Sequence, residues 1–260
     1  MTAKFDLSDV EFHSFHWDNF NRDVLNAHKK VMAHFGLNVI YTEENMEHGE
    51  WLDRVMSRAT KNVVAIIEPD CIPLNREIIE QSAEFVYKNN TFLGPAPASN
   101  HIYPGSHIFA SPAFFFMATD CYKRMGFPSF KLNDRSDVAE EVAYRAEKLG
   151  VPYRALYPTH YEREPLEGIW RLGNYGYYGI GTVFAGSIYH LFQSRFEQNV
   201  KLFLQHCDEV INDRFSLDAF RCSTVLSPPE RQMPLPKPKP LVKRIRKRLK
   251  RGLYTKNKFI

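Results

Sequence analysis

Two carboxylates set one residue apart are the first residues in this chain that could do chemistry. The run VVAII at 63–67 is followed directly by Glu68, Pro69 and Asp70. A strand that is apolar at every position is buried on both faces, as in the centre of a parallel sheet, and ligands bind at the carboxyl edge of such sheets. The proline fixes the backbone between the acids, so the pattern is typical of a cation site. It is equally typical of a solvated acidic turn that closes a strand.

The segments around this run predict a layered α/β fold with a mostly parallel central sheet covered by helices. VEFHSFH and LNVIYT predict two strands ahead of VVAII, and the amphipathic segments 19–35 and 48–60 predict a helix after each. The order β-α-β-α-β is typical of a parallel sheet, whose carboxyl edge would carry the two acids. Downstream, PAFFFMATDCYKRMG predicts a buried strand and a short helix, 136–149 predicts another helix, and VPYRALYP predicts another strand.

Charge is distributed unevenly along the 260 residues. Eleven of the 34 lysines and arginines, and none of the 30 acidic residues, lie in 237–260, so residues 1–236 carry a net charge of −7 although the whole chain carries +4. Prolines at 234, 236, 238 and 240 predict an extended spacer ahead of the basic segment. We therefore expect one folded domain over 1–227, a proline-rich linker over 228–240 and a basic amphipathic tail over 241–260.

Several other classes of protein lack their sequence signals here. No apolar run approaches the roughly 20 residues that cross a bilayer, and the N-terminus has no signal-peptide core. The four cysteines form no CxxC pair, which favours a reducing cytoplasm over a zinc cage or a disulfide framework. GIGTVFAG does not complete a GxGxxG fingerprint, and neither GxSxG nor HExxH occurs. The neighbouring LGNYGYYGIG predicts a mobile aromatic loop.

The order of elements, with an acid-x-Asp tripeptide after the third strand, resembles the GT-A fold of nucleotide-sugar-dependent glycosyltransferases. Glu68-Pro69-Asp70 would be an ExD form of the DxD motif of that family. Three later segments are similar to that fold in the same order. ASPAFFFMATDCYKRMG resembles its acceptor-side strand and helix, DVAEEVAYRAEKLGVPYRALYP the helix with the catalytic acids of inverting members, and SIYHLFQSR the segment whose histidine completes the metal site.

The resemblance implies a metal site made by Glu68, Asp70 and His190. Carboxylates suit Mg²⁺ or Mn²⁺, and one imidazole favours Mn²⁺. A divalent cation there would stabilise the negative charge that develops on a nucleotide-diphosphate leaving group.

Three further residues are candidates for contact with the nucleotide sugar. Glu43 and Glu44 follow the second strand, where the resemblance places the nucleoside, and Arg195 could offer a positive fork to the diphosphate. The alternatives are that the two acids are ordinary exposed loop residues and that the arginine lies on a helix surface.

The catalytic base follows the family pattern less directly. EVAYRAEKLG at 141–150 has the spacing of the D-L-x-x-R-x-x-x-x-G of inverting members, which places Ala139 at the usual base position. We therefore expect the base among three acidic residues near the start of the predicted helix: Asp137, Glu140 and Glu141. Asp137 would open that helix and face the acceptor, or would be only its N-cap. A retaining transfer would not need this base.

Together these patterns predict a metal-dependent glycosyltransferase that moves a sugar from a nucleotide-diphosphate sugar to a saccharide or lipid-linked acceptor, in the synthesis of cell-surface glycans. The tail would dock on an anionic membrane surface and make the enzyme cytoplasmic and peripherally membrane-associated. Two alternatives are a noncatalytic GT-A-like protein that binds a nucleotide sugar or a partner, and a nucleic-acid-binding protein that acts through its tail. The acidic body disfavours nucleic acid.

Overall fold

Strands and helices alternate along the part of the chain that a computed structural model describes, which comprises residues 5–97, 107–162, 169–172, 176–192, 194 and 196–223. In chain order the strands are β1 (Val10–His16), β2 (Val39–Glu43), β3 (Val63–Ile67), β4 (Cys71–Pro73), β5 (Phe92–Pro95), β6 (Phe114–Ala118), β7 (Arg154–Leu156), β8 (Pro158–Glu162), β9 (Ile169–Arg171), β10 (Tyr177–Gly179), β11 (Gly181–Phe184), β12 (Ile188–Leu191) and β13 (Phe220–Cys222). The helices are α1 (Arg22–His34), α2 (His48–Arg58), α3 (Arg76–Asn89), α4 (Thr119–Arg124), α5 (Glu140–Leu149) and α6 (Glu197–Ile211).

Six strands form the central sheet in the order β2-β1-β3-β6-β5-β7. β2 and β3 pair with β1 in parallel and β7 pairs with β5 in parallel, whereas β6 runs antiparallel between β3 and β5. Every residue of β3 and β6 is buried, as their unbroken apolar sequences require, and α3 packs against both strands. The predicted α/β class with a mostly parallel central sheet is confirmed.

Local sequence signals explain where the first helix begins and ends. The side chain of Asn21 accepts hydrogen bonds from the backbone N–H groups of Asp23 (2.9 Å) and Val24 (3.1 Å), which caps the start of α1. Gly36 has φ 69° just after the end of the helix, a conformation that glycine adopts without a steric penalty. The helix end predicted at this glycine is confirmed.

The helix predicted over 136–149 begins later, at Glu140. Ala139 precedes it with φ 69°, and a residue in the left-handed region cannot belong to a right-handed helix. The prediction that Asp137 opens this helix, or caps it, is therefore wrong. Asp137 lies in the turn ahead of the helix, where its own side chain accepts a hydrogen bond from the backbone N–H of Val138 (3.0 Å).

A second, antiparallel sheet was not predicted from the sequence. Its strand order is β13-β8-β11-β12-β4, and a two-stranded sheet of β9 and β10 accompanies it. LGNYGYYGIG, which predicts a loop, contains β10, and the strand predicted from VPYRALYP is divided between the two larger sheets as β7 and the start of β8. One cluster of buried apolar side chains runs from Val10 to Phe220 and includes residues of both larger sheets, so the two share a core.

The expected domain boundary at 227, the linker at 228–240 and the tail at 241–260 lie outside the described residues. Among the residues that the structure does describe, none of the helices combines the length and the apolar character needed to span a bilayer.

The contact of α2 with the segment before α5 gives a test of the fold. A Cβ atom on Gly49 would lie 2.6 Å from the Cα of Lys131 and 2.7 Å from the carbonyl oxygen of Phe130. The carboxylate of Asp53 holds that segment in place by accepting a hydrogen bond from the backbone N–H of Phe130 (2.7 Å). We expect Gly49→Ala to lower the free energy of unfolding by about 1–3 kcal/mol. The added methyl group would clash with backbone atoms, which cannot move away as the end of a flexible side chain can. Urea unfolding measures this.

Ser57→Ala is the matched control, since Ser57 is exposed on the same helix and alanine raises helix propensity there. A Gly49→Ala variant as stable as the Ser57→Ala variant would contradict the close approach.

Candidate metal centre

The two acids lie in a turn that links the central sheet to the second sheet. The backbone N–H of Glu68 donates to the carbonyl of Ala113 (2.9 Å), and the N–H of Cys71 donates to the carbonyl of Glu68 (2.9 Å). These bonds end β3 at the carboxyl edge of the central sheet and start β4 three residues later. The predicted position of the acids, directly after a fully buried strand, is the position observed.

The pairing of β4 with β12 brings a distant histidine to this turn. The two strands are antiparallel with His190 opposite Cys71, and the backbone N–H of Leu191 donates to the carbonyl of Asp70 (2.9 Å). The register of the second sheet therefore fixes His190 beside Asp70. The sequence suggested that these residues converge, but it gave no indication of the short strand that makes them do so.

The three side chains form one cluster. Glu68, Asp70 and His190 each offer one ligand atom within 4.8 Å of the other two, and Nε2 of His190 lies 3.7 Å from Oδ1 of Asp70. The hydroxyl of Ser194 donates to Oδ2 of Asp70 (2.9 Å), which orients the carboxylate. His190 is buried, and the two acids are mostly buried.

The electrostatics of the cluster favour binding of a cation. Burial raises the pKa of Glu68, and the charge of Asp70 raises it further, against an opposing effect of His190. Nδ1 of His190 is buried and has no hydrogen-bond partner in the described part of the chain. Two crowded carboxylates and an imidazole are a donor set that suits Mn²⁺ or Mg²⁺, so the residues present fit a divalent cation.

His48 belongs to the same neighbourhood and was missed by the sequence analysis. Its Nε2 lies 3.5 Å from Oε1 of Glu68, and burial lowers the pKa of His48 to about 4, so the imidazole is neutral at neutral pH. A signal for it exists in the sequence. His48 is the first residue of the helix that follows β2, and a helix that follows a parallel strand starts at the carboxyl edge of the sheet.

The acids expected to supply a base have different environments. Glu140 is fully buried, with Oε1 bonded to Nδ1 of His107 (2.7 Å) and Oε2 accepting from the backbone N–H of Asp137 (2.7 Å). Glu141 is paired with the guanidinium of Arg135 (2.6 and 2.7 Å), which lowers the pKa of Glu141 to about 2. Both carboxylates are held by these bonds, and Asp137, like Glu141, is partly buried.

Tyr178 lies near the candidate metal cluster and is affected by the charge of Asp137. Burial and then the charge of Asp137 raise the pKa of Tyr178 to about 12. The ring of Tyr178 lies 5.5 Å from that of Phe192, and the ring of Phe192 lies 4.2 Å from that of His190. The expectation that Asp137 faces the acceptor stays a prediction.

The expected nucleotide contacts are only partly described. Both oxygens of Glu43 accept from Arg22 (2.9 Å each), and Glu44 is paired with Arg54 (2.9 Å). Both acids are nonetheless more than two-fifths exposed, so each retains an accessible face. The expectation for Arg195 falls outside the described residues.

Comparison with known proteins gives only distant likenesses. No family model and no curated protein matches the chain. Among solved structures, a Drosophila β1,4-galactosyltransferase 7 mutant in complex with manganese, UDP-Gal and xylobiose is 11% identical, with 74% of this chain and 79% of that chain covered and a TM-score of 0.40. A glycosyltransferase involved in glycosylation of the major capsid of PBCV-1 is 14% identical, with 57% and 80% covered and a TM-score of 0.34.

A third solved structure, CMP:2-keto-3-deoxy-manno-octonic acid synthetase complexed with CTP, is 9% identical, with 57% of this chain and 89% of that chain covered and a TM-score of 0.34. None of these values reaches a level at which a shared activity follows.

The cluster predicts stabilisation by a divalent cation. A ligand that binds only the folded state at 100 times its Kd adds about 2.7 kcal/mol of stability, so we expect Mn²⁺ to raise the Tm and EDTA to reverse the rise. Asp70→Asn should abolish the rise because it removes the charge that Ser194 and His190 flank. Differential scanning fluorimetry measures this.

Asp120→Asn, on the exposed surface of α4, is the matched control and should keep the full rise. A Tm rise that survives in Asp70→Asn would place the bound cation elsewhere.

Proposed function

We propose that this chain is a metal-dependent glycosyltransferase that moves a sugar from a nucleotide-diphosphate sugar to a saccharide or lipid-linked acceptor. The observation that carries the proposal is the convergence of Glu68, Asp70 and His190 at the carboxyl edge of a mostly parallel sheet. This edge is where open α/β sheets bind their ligands. The GT-A-like motif order in the sequence and the α/β fold support the same conclusion.

Each residue of the cluster has a defined task in this proposal. Glu68, Asp70 and His190 would hold Mn²⁺ or Mg²⁺, and Ser194 would keep the Asp70 carboxylate turned toward it. A divalent cation held by these residues would supply positive charge that stabilises the diphosphate leaving group. Partial burial of the acids excludes water and strengthens these interactions.

The nucleoside would lie beyond the ends of β1 and β2. Glu43 and Glu44 are held in position by arginines, so a ribose hydroxyl would meet carboxylates whose orientation is already fixed. Trp17 follows β1 with 43% of its surface exposed, and its indole N–H donates to the carbonyl of Met46 (2.8 Å). A fixed, exposed indole suits stacking on a base. Arg195 is retained as the candidate contact of the diphosphate.

The acceptor would approach from the side of Asp137. In an inverting transfer this carboxylate would take the proton of the acceptor hydroxyl as that oxygen bonds to the sugar. The buried Glu140 accepts the backbone N–H of Asp137 and so fixes the turn that carries it. Glu140 therefore suits a positioning role, and the ion pair of Glu141 with Arg135 suits the same purpose.

A noncatalytic nucleotide-sugar-binding or partner-binding protein is the second candidate. It is favoured by the hydrogen bonds that occupy the carboxylates of Glu140 and Glu141, two of the three expected catalytic acids. Such a protein would bind the nucleotide and the metal and release no sugar.

We further propose that the tail at 241–260 docks the protein on an anionic membrane surface, beside a lipid-linked acceptor. Each basic residue near such a surface contributes about 1 kcal/mol. The acidic body would be repelled by the same surface, and the linker at 228–240 would keep the two apart. Nucleic acid is the alternative partner of the tail.

The catalytic proposal is tested by a screen of nucleotide sugars for hydrolysis and transfer in the presence of Mn²⁺, with EDTA as the metal-free arm. We expect Asp70→Asn to remove the metal-dependent activity. Asp137→Asn should lower kcat about 10²–10⁴-fold, because the acceptor proton loses its base, while the Mn²⁺-dependent rise in Tm is kept. Asp120→Asn should match the wild type.

Full activity in Asp137→Asn would remove that base assignment and leave the metal assignment standing. Nucleotide binding without turnover of any sugar nucleotide would favour the noncatalytic candidate.

The membrane proposal is tested by co-sedimentation with anionic and with neutral vesicles. We expect binding to anionic vesicles that weakens at high salt and is lost on deletion of 237–260, because the eleven basic residues supply the attraction. Binding that is unchanged by the deletion would exclude the tail as the anchor.

A further inference from the structure

His48 is held rigidly beside the candidate metal centre. Its ring stacks on Phe15 (centroids 5.7 Å apart, planes at 9°) and on Trp51 (5.9 Å, 28°). Only 16% of the side chain is exposed, and Nε2 lies 3.5 Å from Oε1 of Glu68. Two aromatic contacts fix the plane of the imidazole and therefore the direction of its Nε2.

That nitrogen is buried and has no hydrogen-bond partner within the described residues. A buried polar atom without a partner costs about 1–3 kcal/mol, and phenylalanine would fit an aromatic stack without that cost. The Glu68 carboxylate is close enough that a shift of less than 1 Å gives a normal N–H···O distance. A functional state in which this bond forms would account for a histidine here.

His48 is close to Glu68 but does not belong to the group of three candidate ligands. Among the described residues, the donor atoms within 4.8 Å of one another belong to Glu68, Asp70 and His190. A fourth direct ligand would have to belong to that group. A hydrogen bond from His48 to one oxygen of Glu68 would leave the other oxygen of that carboxylate to bind the cation.

We propose that His48 is a positioning residue that donates its Nε2–H to Glu68 and orients this carboxylate for a divalent cation, an inference that rests on the proposed metal-dependent function. Metal-binding carboxylates are hydrogen-bonded to outer residues, and loss of such a partner costs about 10–100-fold in metal affinity. Ser194 makes the equivalent bond to Asp70. Each acid of the centre would then have one dedicated donor.

The test measures Mn²⁺ alone, from the EPR signal of the free ion in titrations of the full chain. His48→Phe keeps the ring stack and removes the donor, and it should weaken Mn²⁺ binding about 10–100-fold with little change in the Tm of the metal-free protein. His48→Gln places an amide N–H near the position of Nε2 and should recover most of the affinity. His34→Phe, at the exposed end of α1, controls for loss of an unrelated histidine.

The outcomes separate the two proposals. Unchanged Mn²⁺ affinity in His48→Phe, in a wild type that binds Mn²⁺, overturns the role of His48 and leaves the metal centre intact. Equal loss in His48→Phe and His48→Gln also overturns it, because a positioning donor is rescued by another donor. A wild type that binds no Mn²⁺ overturns both the metal centre and the role of His48.

Discussion

The pairing of β4 with β12 is the interaction on which the candidate site depends. β4 has three residues, yet it continues from the turn that carries both acids and joins the second sheet to the first. Its ladder is extended at both ends, where Leu191 donates to the carbonyl of Asp70 and Leu74 donates to that of Ser187 (2.8 Å). A slip of one residue in this ladder would turn His190 to the other face of the sheet. The metal cluster is therefore a direct product of strand register.

The turn that carries Glu68 and Asp70 also lowers the stability of the metal-free folded state when Glu68 is ionised. A carboxyl whose folded pKa lies above its unfolded pKa contributes stability below the unfolded value, and this contribution is lost as pH rises through the folded pKa. Glu68 is such a group, because burial and the neighbouring Asp70 disfavour its ionised form. A bound cation would reverse the sign of the local field. The crowded carboxylates would therefore lower the stability of the metal-free protein and raise its affinity for a cation.

The sequence predicted the parts of the fold whose signals are local. The unbroken apolar run of β3, the glycine after α1 and the position of Glu68 and Asp70 were all read correctly from short stretches. The second sheet was missed because its strands are three to five residues long and their pairing is set by distant partners. The start of α5 was misplaced because Ala139 takes a left-handed conformation that its sequence does not indicate, and because the carboxylate of Glu140 bonds to His107, far away in the sequence. Neither the pairing of short, distant strands nor the start of α5 produces a periodic pattern in the sequence.

The candidate metal centre and the segment that carries Asp137 are held by different kinds of interaction. The candidate metal centre is fixed by backbone hydrogen bonds between β4 and β12, which do not depend on the side chains involved. The segment that carries Asp137 is fixed by side chains, through the bonds of Glu140 to His107 and of Glu141 to Arg135. Backbone pairing tolerates most substitutions, whereas a side-chain network loses its geometry when one partner is removed. The segment that carries Asp137 is therefore the part that single substitutions would disturb most easily, while the cluster of Glu68, Asp70 and His190 stays assembled.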